Sequence, residues 1–447
     1  MLDSLPRLPR LRPLEPWQRN QYAIALAVAL AFCAFELTQP FMPLYIRQLG
    51  AEDLADAAFW AGLVSGVAPL GAAIMGPFWG SLADKYGRKP MVLRALIFIG
   101  ILQFATAFVP NVQWLFATRV LMGLSAGFTP MAMALAISVS PREKMAQAIG
   151  LTQAAQLAPA ALGPLVGGVL TDAFGMRNSL MLTGVLLIIP TILLTFMVKE
   201  SFDRPAGDRL GAKAKGGQGT ALSLLVIPGF AAALAILFVA RFTDRAVTPI
   251  LPLYLIQLET PSALLATITG LVVAAGALAA TCSSVVYGRW SRPENTRRLL
   301  IVALAGGAVC SVLLAVVGDW IQVMVVRTLL GLLAGGTISL AYTMGARLAP
   351  SDRSSLTLSV LASCGMLGSA SSPILAGLIS QASLRIVFLA TGAAYLLAVG
   401  LAIFPLIRRW QTGAPSQEPA PPPPPARPTG EQASKPAAGQ VGSAADE

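Results

Sequence analysis

The sequence predicts an all-α membrane protein with twelve transmembrane helices. Of its 447 residues, 55% are hydrophobic and only 12% are charged, whereas an ordinary soluble domain carries about 25% charged residues. Apolar stretches recur along the chain, and about 20 such residues suffice to cross the hydrocarbon core as a helix. The twelve stretches are residues 21–46, 57–82, 90–109, 112–139, 146–171, 179–198, 222–256, 263–287, 298–317, 320–347, 354–380 and 384–407.

The placement of the basic residues predicts the orientation of these helices. Of the 32 lysines and arginines, 24 fall in the termini and in the loops that follow even-numbered helices. Only Arg47, Arg177 and Arg385 fall in the loops on the other side. This positive-inside bias predicts that both termini lie in the cytoplasm. The protein is expected in the inner or plasma membrane of the cell. The net charge of +11 is therefore explained by the orientation of the helices in the membrane, and no nucleic-acid partner is expected.

Three sequence motifs occur twice, which predicts two related halves. The three pairs are separated by 208 or 209 residues: Pro40-x-x-Pro43-Leu44-Tyr45 with Pro249-x-x-Pro252-Leu253-Tyr254, Arg119-x-Leu-x-Gly123-Leu-x-Ala-Gly127 with Arg327-x-Leu-x-Gly331-Leu-x-Ala-Gly335, and Pro164 and Gly168 with Pro373 and Gly377. Internal repeats of this kind are typical of transporters that bind substrate between two bundles near mid-membrane.

The repeats divide the chain into five predicted parts. Two pseudo-symmetric six-helix bundles cover residues 21–198 and 222–410, and a basic cytosolic linker, 199–221, joins them. Residues 1–20 form a cytosolic N-terminal segment without the apolar core of a signal peptide. Residues 411–447 form a Pro-rich cytosolic tail that is expected to be disordered; a ligand for a proline-recognition domain is the alternative.

A short polar loop lies between the second and third apolar stretches. It reads Gly80-Ser-Leu-Ala-Asp84-Lys-Tyr-Gly87-Arg88-Lys89. The loop resembles the Gly-x-Leu-x-Asp-x-x-Gly-Arg-Lys motif of the major facilitator superfamily. In that family the acid helps to latch the cytoplasmic side shut in the outward-facing state, which the resemblance implies for Asp84 and Arg88. The alternative is a basic topological anchor without a latch.

The fifth stretch resembles the Gly-Pro-x-x-Gly-Gly signature of drug:proton antiporters in this superfamily. The residues that carry the resemblance are Gly150, Gly163, Pro164, Gly167 and Gly168. Pro159 stands where the signature has another glycine. The resemblance implies the twelve-helix multidrug or tetracycline-type efflux group, and generic packing of small residues is the alternative.

Ionisable residues within the apolar stretches are candidates for proton coupling. Glu36 lies in the first stretch, and Asp244 and Arg245 lie in the seventh. A carboxylate is costly to keep charged in the bilayer, and the chain has no histidine, so Glu36 is the expected proton carrier with Asp244 as the second candidate. The repeat places Arg245 at the position of Glu36, which suggests a Glu36–Arg245 pair, or competition between Glu36 and Asp244 for Arg245. A static ion pair is the alternative.

Arg119 resembles the arginine of the superfamily's helix 4 motif, which is associated with proton coupling. An arginine that reaches toward a membrane surface is the alternative. Further residues are candidates for the substrate cavity, because they lie on helices that line it in this fold. They are Gln39, Gln153, Gln156, Phe128, Tyr254, Tyr342 and Met366.

Together these features predict a proton-coupled transporter that exports small amphipathic compounds by alternating access. Its partners would be a small-molecule substrate, protons and the lipid bilayer, and it would act as a monomer without a cofactor or metal. A proton-coupled importer or facilitator of a nutrient, and a sensor or scaffold that does not transport, are the alternatives. An enzyme is not expected, because no nucleophile–base pair or metal cluster is present in the sequence.

Overall fold

The computed structural model describes residues 15–200, 229–348 and 354–403, together with residues 224 and 227. The described chain is helical, and its helices follow the predicted stretches closely. The first half holds α1 (Pro16–Gln48), α2 (Leu54–Tyr86), α3 (Arg88–Thr106), α4 (Val112–Ser138), α5 (Met145–Phe174) and α6 (Met176–Met197). The second half holds α7 (Phe230–Ala246 and Leu251–Gln257), α8 (Leu265–Trp290), α9 (Thr296–Val316), α10 (Trp320–Leu348), α11 (Ser354–Ser380) and α12 (Leu384–Ile403).

Eleven helices of the described chain, all except α7, are long and apolar enough to cross a membrane. The helix α7 is described as two shorter pieces, and the predicted start of its stretch, 222–229, lies largely outside the described residues. Large apolar side chains such as Ile74, Phe196 and Val316 are exposed on the outer surface of the bundle. Such a surface suits lipid, which offers no hydrogen-bond partners to polar groups.

Some predicted segments cannot be compared with the structure. The linker 199–221 is described only at residues 199 and 200, and the tail 411–447 and most of the N-terminal segment 1–20 lie outside the described residues. The boundaries of the two predicted bundles therefore remain predictions.

The repeated motifs interrupt equivalent helices at equivalent points. Regular helix in α1 ends at Glu36, just before Pro40, and regular helix in α7 ends at Ala246, just before Pro249. Proline has no backbone N–H to donate, so it favours such a break. The helix α4 breaks at Gly127, whose φ of +132° suits glycine, and α10 breaks at the pair Gly335–Gly336.

The two halves meet where α5 crosses α8 and where α11 crosses α2. In the first crossing the carbonyl of Pro164 lies against Gly270, and in the second the carbonyl of Pro373 lies against Gly62. A Cβ atom on either glycine would overlap that carbonyl, so both crossings require a residue without a side chain. The crossings are related by the same offset as the sequence repeat.

Both crossings lie toward the same end of the bundle. This end, which carries the α1–α2, α5–α6 and α7–α8 connections, is called here the Asp172 end; the opposite end, where α2 turns into α3, is called the Asp84 end. At the Asp84 end the Asp84 side chain is 58% exposed, and among the described residues it forms no ion pair with the second half. The described chain is thus closed at the Asp172 end, and at the other end Asp84 pairs with Arg88 of its own half.

Candidate functional site

A cavity of about 180 Å³ lies between the halves and brings several predicted residues together. The break in α1 contributes Glu36, and α7 contributes Asp244 and Arg245. The rest of the lining comes from α5, α7, α8, α10 and α12. It comprises Ala160, Thr243, Thr248, Val273, Gly276, Ala277, Ala280, Arg327, Leu330, Gly331, Ala334, Gly335 and Tyr395.

The α5 motif holds Glu36 in this cavity. Gly163 lies against the Cβ and backbone of Glu36, and Gly167 lies against the backbone of Leu37. A Cβ on Gly163 would come within 3.2 Å of the Glu36 carbonyl carbon. The next glycine, Gly168, faces the other way and lies against Ala266 and Thr267 of α8. The glycines therefore pack α5 simultaneously on the acid-bearing turn of α1 and on the second half.

Two neighbouring charged residues of α7, Asp244 and Arg245, pair with each other. Arg245 Nε lies 3.8 Å from Asp244 Oδ2, and both side chains are about half exposed, at 50% and 49%. Glu36 is partly buried and forms no ion pair within 4.0 Å among the described residues. Of the two arrangements that the repeat suggests, this conformation therefore contains an Arg245 held by Asp244 and lacks the direct Glu36–Arg245 pair. Glu36 and Arg245 nevertheless line the same cavity.

The two repeated arginines occupy different surroundings. Arg327 lines the cavity, and its Nε is buried without a hydrogen-bond partner. Arg119 does not line the cavity; it is 3% exposed and its nearest polar contacts are thioethers, Met42 Sδ at 3.1 Å and Met122 Sδ at 3.6 Å. The structure thus brings Arg327, and not Arg119, next to the carboxylates. The sequence repeat identified Arg327 as the counterpart of Arg119, but it gave no reason to prefer Arg327 for the site.

Three cavity residues escaped the sequence analysis or were underweighted there. Thr243 lines the cavity from α7, and its position directly before Asp244 in the sequence was a signal. Tyr395 lies in α12, which the sequence analysis left unexamined, and a lone tyrosine in that apolar helix was the available signal. Arg327 was recognised only as a repeat.

The candidate substrate residues divide into two groups. Gln39, Gln156 and Tyr342 are partly exposed, and Gln153 and Met366 are exposed. Two aromatics belong instead to the cores of the halves. Phe128 is 4% exposed and packs against Phe32, while Tyr254 is fully buried, stacks edge-to-face on Phe388 and donates its hydroxyl to the Leu314 carbonyl at 2.8 Å. Periodicity alone does not tell which face of a broken helix is turned to the core.

The loop at the Asp84 end is held within the first half. Gly87 has a φ of +100°, and this lets one residue both end α2 and begin α3. Arg88 Nη2 lies 4.0 Å from Asp84 Oδ1 and Nη1 donates to the Ala134 carbonyl. Lys89 Nζ donates to two carbonyls near the end of α6, those of Thr195 and Val198. Gly80 has open space around it.

The sequence analysis missed an acid that completes this loop. The carboxylate of Glu200 accepts hydrogen bonds from the backbone N–H groups of Arg88 and Lys89, at 3.0 and 2.8 Å. A carboxylate at a helix N-terminus satisfies unpaired N–H groups and opposes the positive end of the helix dipole. The contact spans over 100 residues of sequence, so no local pattern indicates it.

Replacing Glu200 with glutamine is therefore expected to destabilise the first half by about 1 kcal/mol, the usual value of a charge at a helix N-terminus. Thermal unfolding in detergent measures the change. The matched control is Glu143→Gln, which removes an exposed acid at the same end and should leave the melting temperature unchanged. Equal melting temperatures for the two variants would contradict the capping role.

Comparison with known proteins places this geometry in a family. The family model for the Major Facilitator Superfamily matches residues 24–314 and 233–441. The chain belongs to the major facilitator superfamily. It is 30% identical over 365 residues to the multi-drug resistance efflux pump PmrA homolog of Lactococcus lactis, covering 81% of this chain and 89% of that protein.

Other relatives in the superfamily carry related names. The multi-drug resistance efflux pump PmrA of Streptococcus pneumoniae is 33% identical and covers 72% of this chain and 79% of its own length. The multidrug resistance protein MdtG of Yersinia enterocolitica is 31% identical and covers 73% and 78%. A bacterial homolog to the human lysosomal transporter Spinster, solved in an inward-facing and occupied conformation, shares the fold with a TM-score of 0.72 at 16% identity, over 87% of this chain and 97% of that one. The three relatives compared by sequence are named as multidrug efflux pumps or multidrug resistance proteins.

Proposed function

We propose that this protein exports small amphipathic compounds in exchange for protons, by alternating access of the central cavity to the two sides of the membrane. The contact between Gly163 and Glu36 carries the proposal. It places the antiporter-type motif of α5 directly against the backbone of the acid in the cavity, which supports a link between protonation of Glu36 and packing of the halves. The names of the three relatives compared by sequence, which are multidrug efflux or resistance proteins, support the export direction.

The cavity suits the ionisable groups better than a whole drug molecule. Its volume of about 180 Å³ is below the range of roughly 300–1,000 Å³ that is usual for small-molecule sites. We propose that compounds bind beside it, toward the partly exposed side chains of Gln39, Gln156 and Tyr342. A cation arriving there competes with a proton for Glu36, and this competition provides the exchange.

In the proposed cycle the Asp84 end faces the cytoplasm, in accordance with the charge bias. Closure at the Asp172 end then makes the described conformation open to the inside. Protonated Glu36 would favour one conformation and deprotonated Glu36 the other, and each state opens the cavity on one side only. After each release of compound, Glu36 takes up a proton and the cavity returns to the cytoplasmic side.

The proposal is tested in everted membrane vesicles, whose acidified interior drives an exporter to accumulate compound. Vesicles that contain the protein are expected to take up a fluorescent cationic dye when acidified and to lose it when a protonophore is added. A susceptibility panel on whole cells should show resistance to the same dye. Uptake into whole cells without uptake into everted vesicles would overturn the export direction.

Replacing Asp84 with asparagine is expected to slow export several-fold while leaving the protein folded. In this conformation Asp84 is exposed and its neighbour Arg88 is 4.0 Å away, so the variant loses little here. In the opposite conformation the Asp84 end is closed, and the expected partner of the Asp84 carboxylate is a helix N-terminus of the second half. The variant lacks the charge that this contact needs. Initial rates of dye transport in the vesicles measure the effect. Unchanged rates would favour the simple anchor.

A further inference from the structure

The start of α8 is capped by an acid from the other half of the protein. The backbone N–H groups of Ala266 and Thr267 donate to Asp172 Oδ1 and Oδ2, at 3.1 and 2.7 Å. Asp172 lies in the last turn of α5, and 94 residues separate it from Ala266. These charge-assisted bonds join the halves at the Asp172 end.

The equivalent helix of the first half is capped in a different way. The helix α2 begins after Asp53, whose own side chain accepts from the N–H groups of Ala55 and Asp56 at 3.1 and 3.3 Å. The sequence offset of 208 or 209 places Pro261 or Ser262 at the position of Asp53, and the residue before α8 is Leu264, which forms no side-chain cap. The helix α8 therefore has no side-chain cap of its own and takes one from across the interface.

The second crossing lacks this bond. The offset places Ser380 or Gln381 of α11 at the position of Asp172. Ser380 donates its hydroxyl to the Gly377 carbonyl of its own helix. Among the described residues, no side chain of α11 caps α2. The polar link between the halves is therefore made at the α5–α8 crossing, directly after the antiporter-type motif.

A second partner for Asp172 is available in a separate cavity at the Asp172 end. A space of about 530 Å³ at this end is lined by Arg47 of α1 as well as by Asp172 and Ala266. The Nε of Arg47 is buried and has no hydrogen-bond partner, and Arg47 forms no ion pair within 4.0 Å among the described residues. Arg47 belongs to the same half as Asp172, so it stays close when the second half moves away.

We propose that Asp172 is a positioning residue that clamps the Asp172 end shut by capping α8, and that it exchanges this helix for Arg47 when the end opens. The exchange rests on the proposed alternating access. It keeps the carboxylate paired in both conformations, which avoids leaving a partly buried charge without a partner. Asp172 and Arg47 then act in opposite directions: the first stabilises the closed end and the second the open end.

Distances between spin labels in the full-length protein test this directly. In a variant without the four cysteines, labels at positions 52 and 381 report on the Asp172 end, and labels at 81 and 294 report on the Asp84 end; all four side chains are exposed. Asp172→Asn removes the charge and one acceptor, and it is expected to raise the ratio of open to closed Asp172 ends about tenfold, the scale of losing a hydrogen bond to a charged group. The distance at the Asp84 end should shorten in the same samples.

Arg47→Gln is expected to lower that ratio, because it removes the second partner and leaves the bonds to α8 intact. Asp172→Glu should restore part of the closed population, since the carboxylate is kept. The matched control is Asp56→Asn, which changes an exposed acid at the same end and should leave both distances unchanged.

Two results would overturn the proposal. One is a wild-type distance distribution in folded Asp172→Asn protein. The other is an Arg47→Gln variant that shifts in the same direction as Asp172→Asn or does not shift; this variant decides the matter even if Asp172→Asn fails to fold. The distances need no transported compound, so the clamp can be established or rejected separately from the proposed export.

Discussion

Replacing Glu36 with glutamine is expected to abolish the accumulation of compound that is driven by a proton gradient. Glutamine keeps the shape of the side chain beside Gly163 but neither binds nor releases a proton at this position. If Glu36 carries the proton, the Glu36→Gln protein still moves its cavity between the two sides but no longer couples this movement to the gradient. Exchange of labelled for unlabelled dye across the membrane, which needs no gradient, should therefore continue.

Everted vesicles with and without an acidified interior measure both activities in one preparation. The matched control is Glu52→Gln, because Glu52 is an exposed acid outside the cavity; it should accumulate dye as the wild type does. Gradient-driven accumulation by the Glu36→Gln protein would show that another group, with Asp244 the first to examine, carries the proton. Loss of both accumulation and exchange would show that Glu36 binds the compound or supports the fold, and would remove the assigned coupling role.

The second large effect is expected for Gly167→Ala. A Cβ on Gly167 would overlap the Leu37 carbonyl, and backbone cannot yield as a flexible side chain can. Forcing this contact should cost about 1–3 kcal/mol of stability, as overpacking does in other well-packed interiors. It should also push α5 away from the turn that carries Glu36, so that gradient-driven transport falls together with the melting temperature.

The same helix supplies the control for this variant. Gly150 is exposed and a Cβ there meets nothing within 4 Å. Gly150→Ala should therefore be neutral or stabilise the helix by up to about 1 kcal/mol, because alanine favours a helix over glycine. Thermal unfolding in detergent and dye transport are measured for both. A Gly167→Ala protein as stable and as active as Gly150→Ala would mean that close packing of α5 on α1 is not required.

The sequence predicted the helices well because the bilayer imposes one rule on all of them. Any segment that crosses lipid must satisfy its own backbone as a helix, so hydropathy locates such segments without knowledge of their neighbours. The interruptions of α1, α7 and α4 could also be expected from the sequence, since Pro40, Pro249 and Gly127 have backbone preferences that do not depend on packing. Membership of the superfamily, which the Asp84 loop predicted, was confirmed by the family match.

The site was harder to predict because its members are brought together by the packing of distant helices. Glu36, Asp244 and Arg245 were selected as rare charges in apolar stretches, and they do share a cavity. Their pairing could not be deduced, since adjacent Asp244 and Arg245 satisfy each other. Tyr254 was predicted for the cavity because its helix lines the cavity in this fold, but its hydroxyl is bonded inside the second half. Glu200 and Asp172 act through backbone N–H groups, which no side-chain motif reveals.

The different capping of α2 and α8 means that the two halves, although related, are not interchangeable. A dimer assembled from two copies of the first half would start both crossing helices with a local Asp53 cap, and each Asp172 would meet N–H groups that are already satisfied. A dimer of two second halves would have neither acid, and both helix starts would remain uncapped. Because α8 takes its cap from Asp172 of the first half, whereas α2 carries its own, separated halves should assemble as the mixed pair.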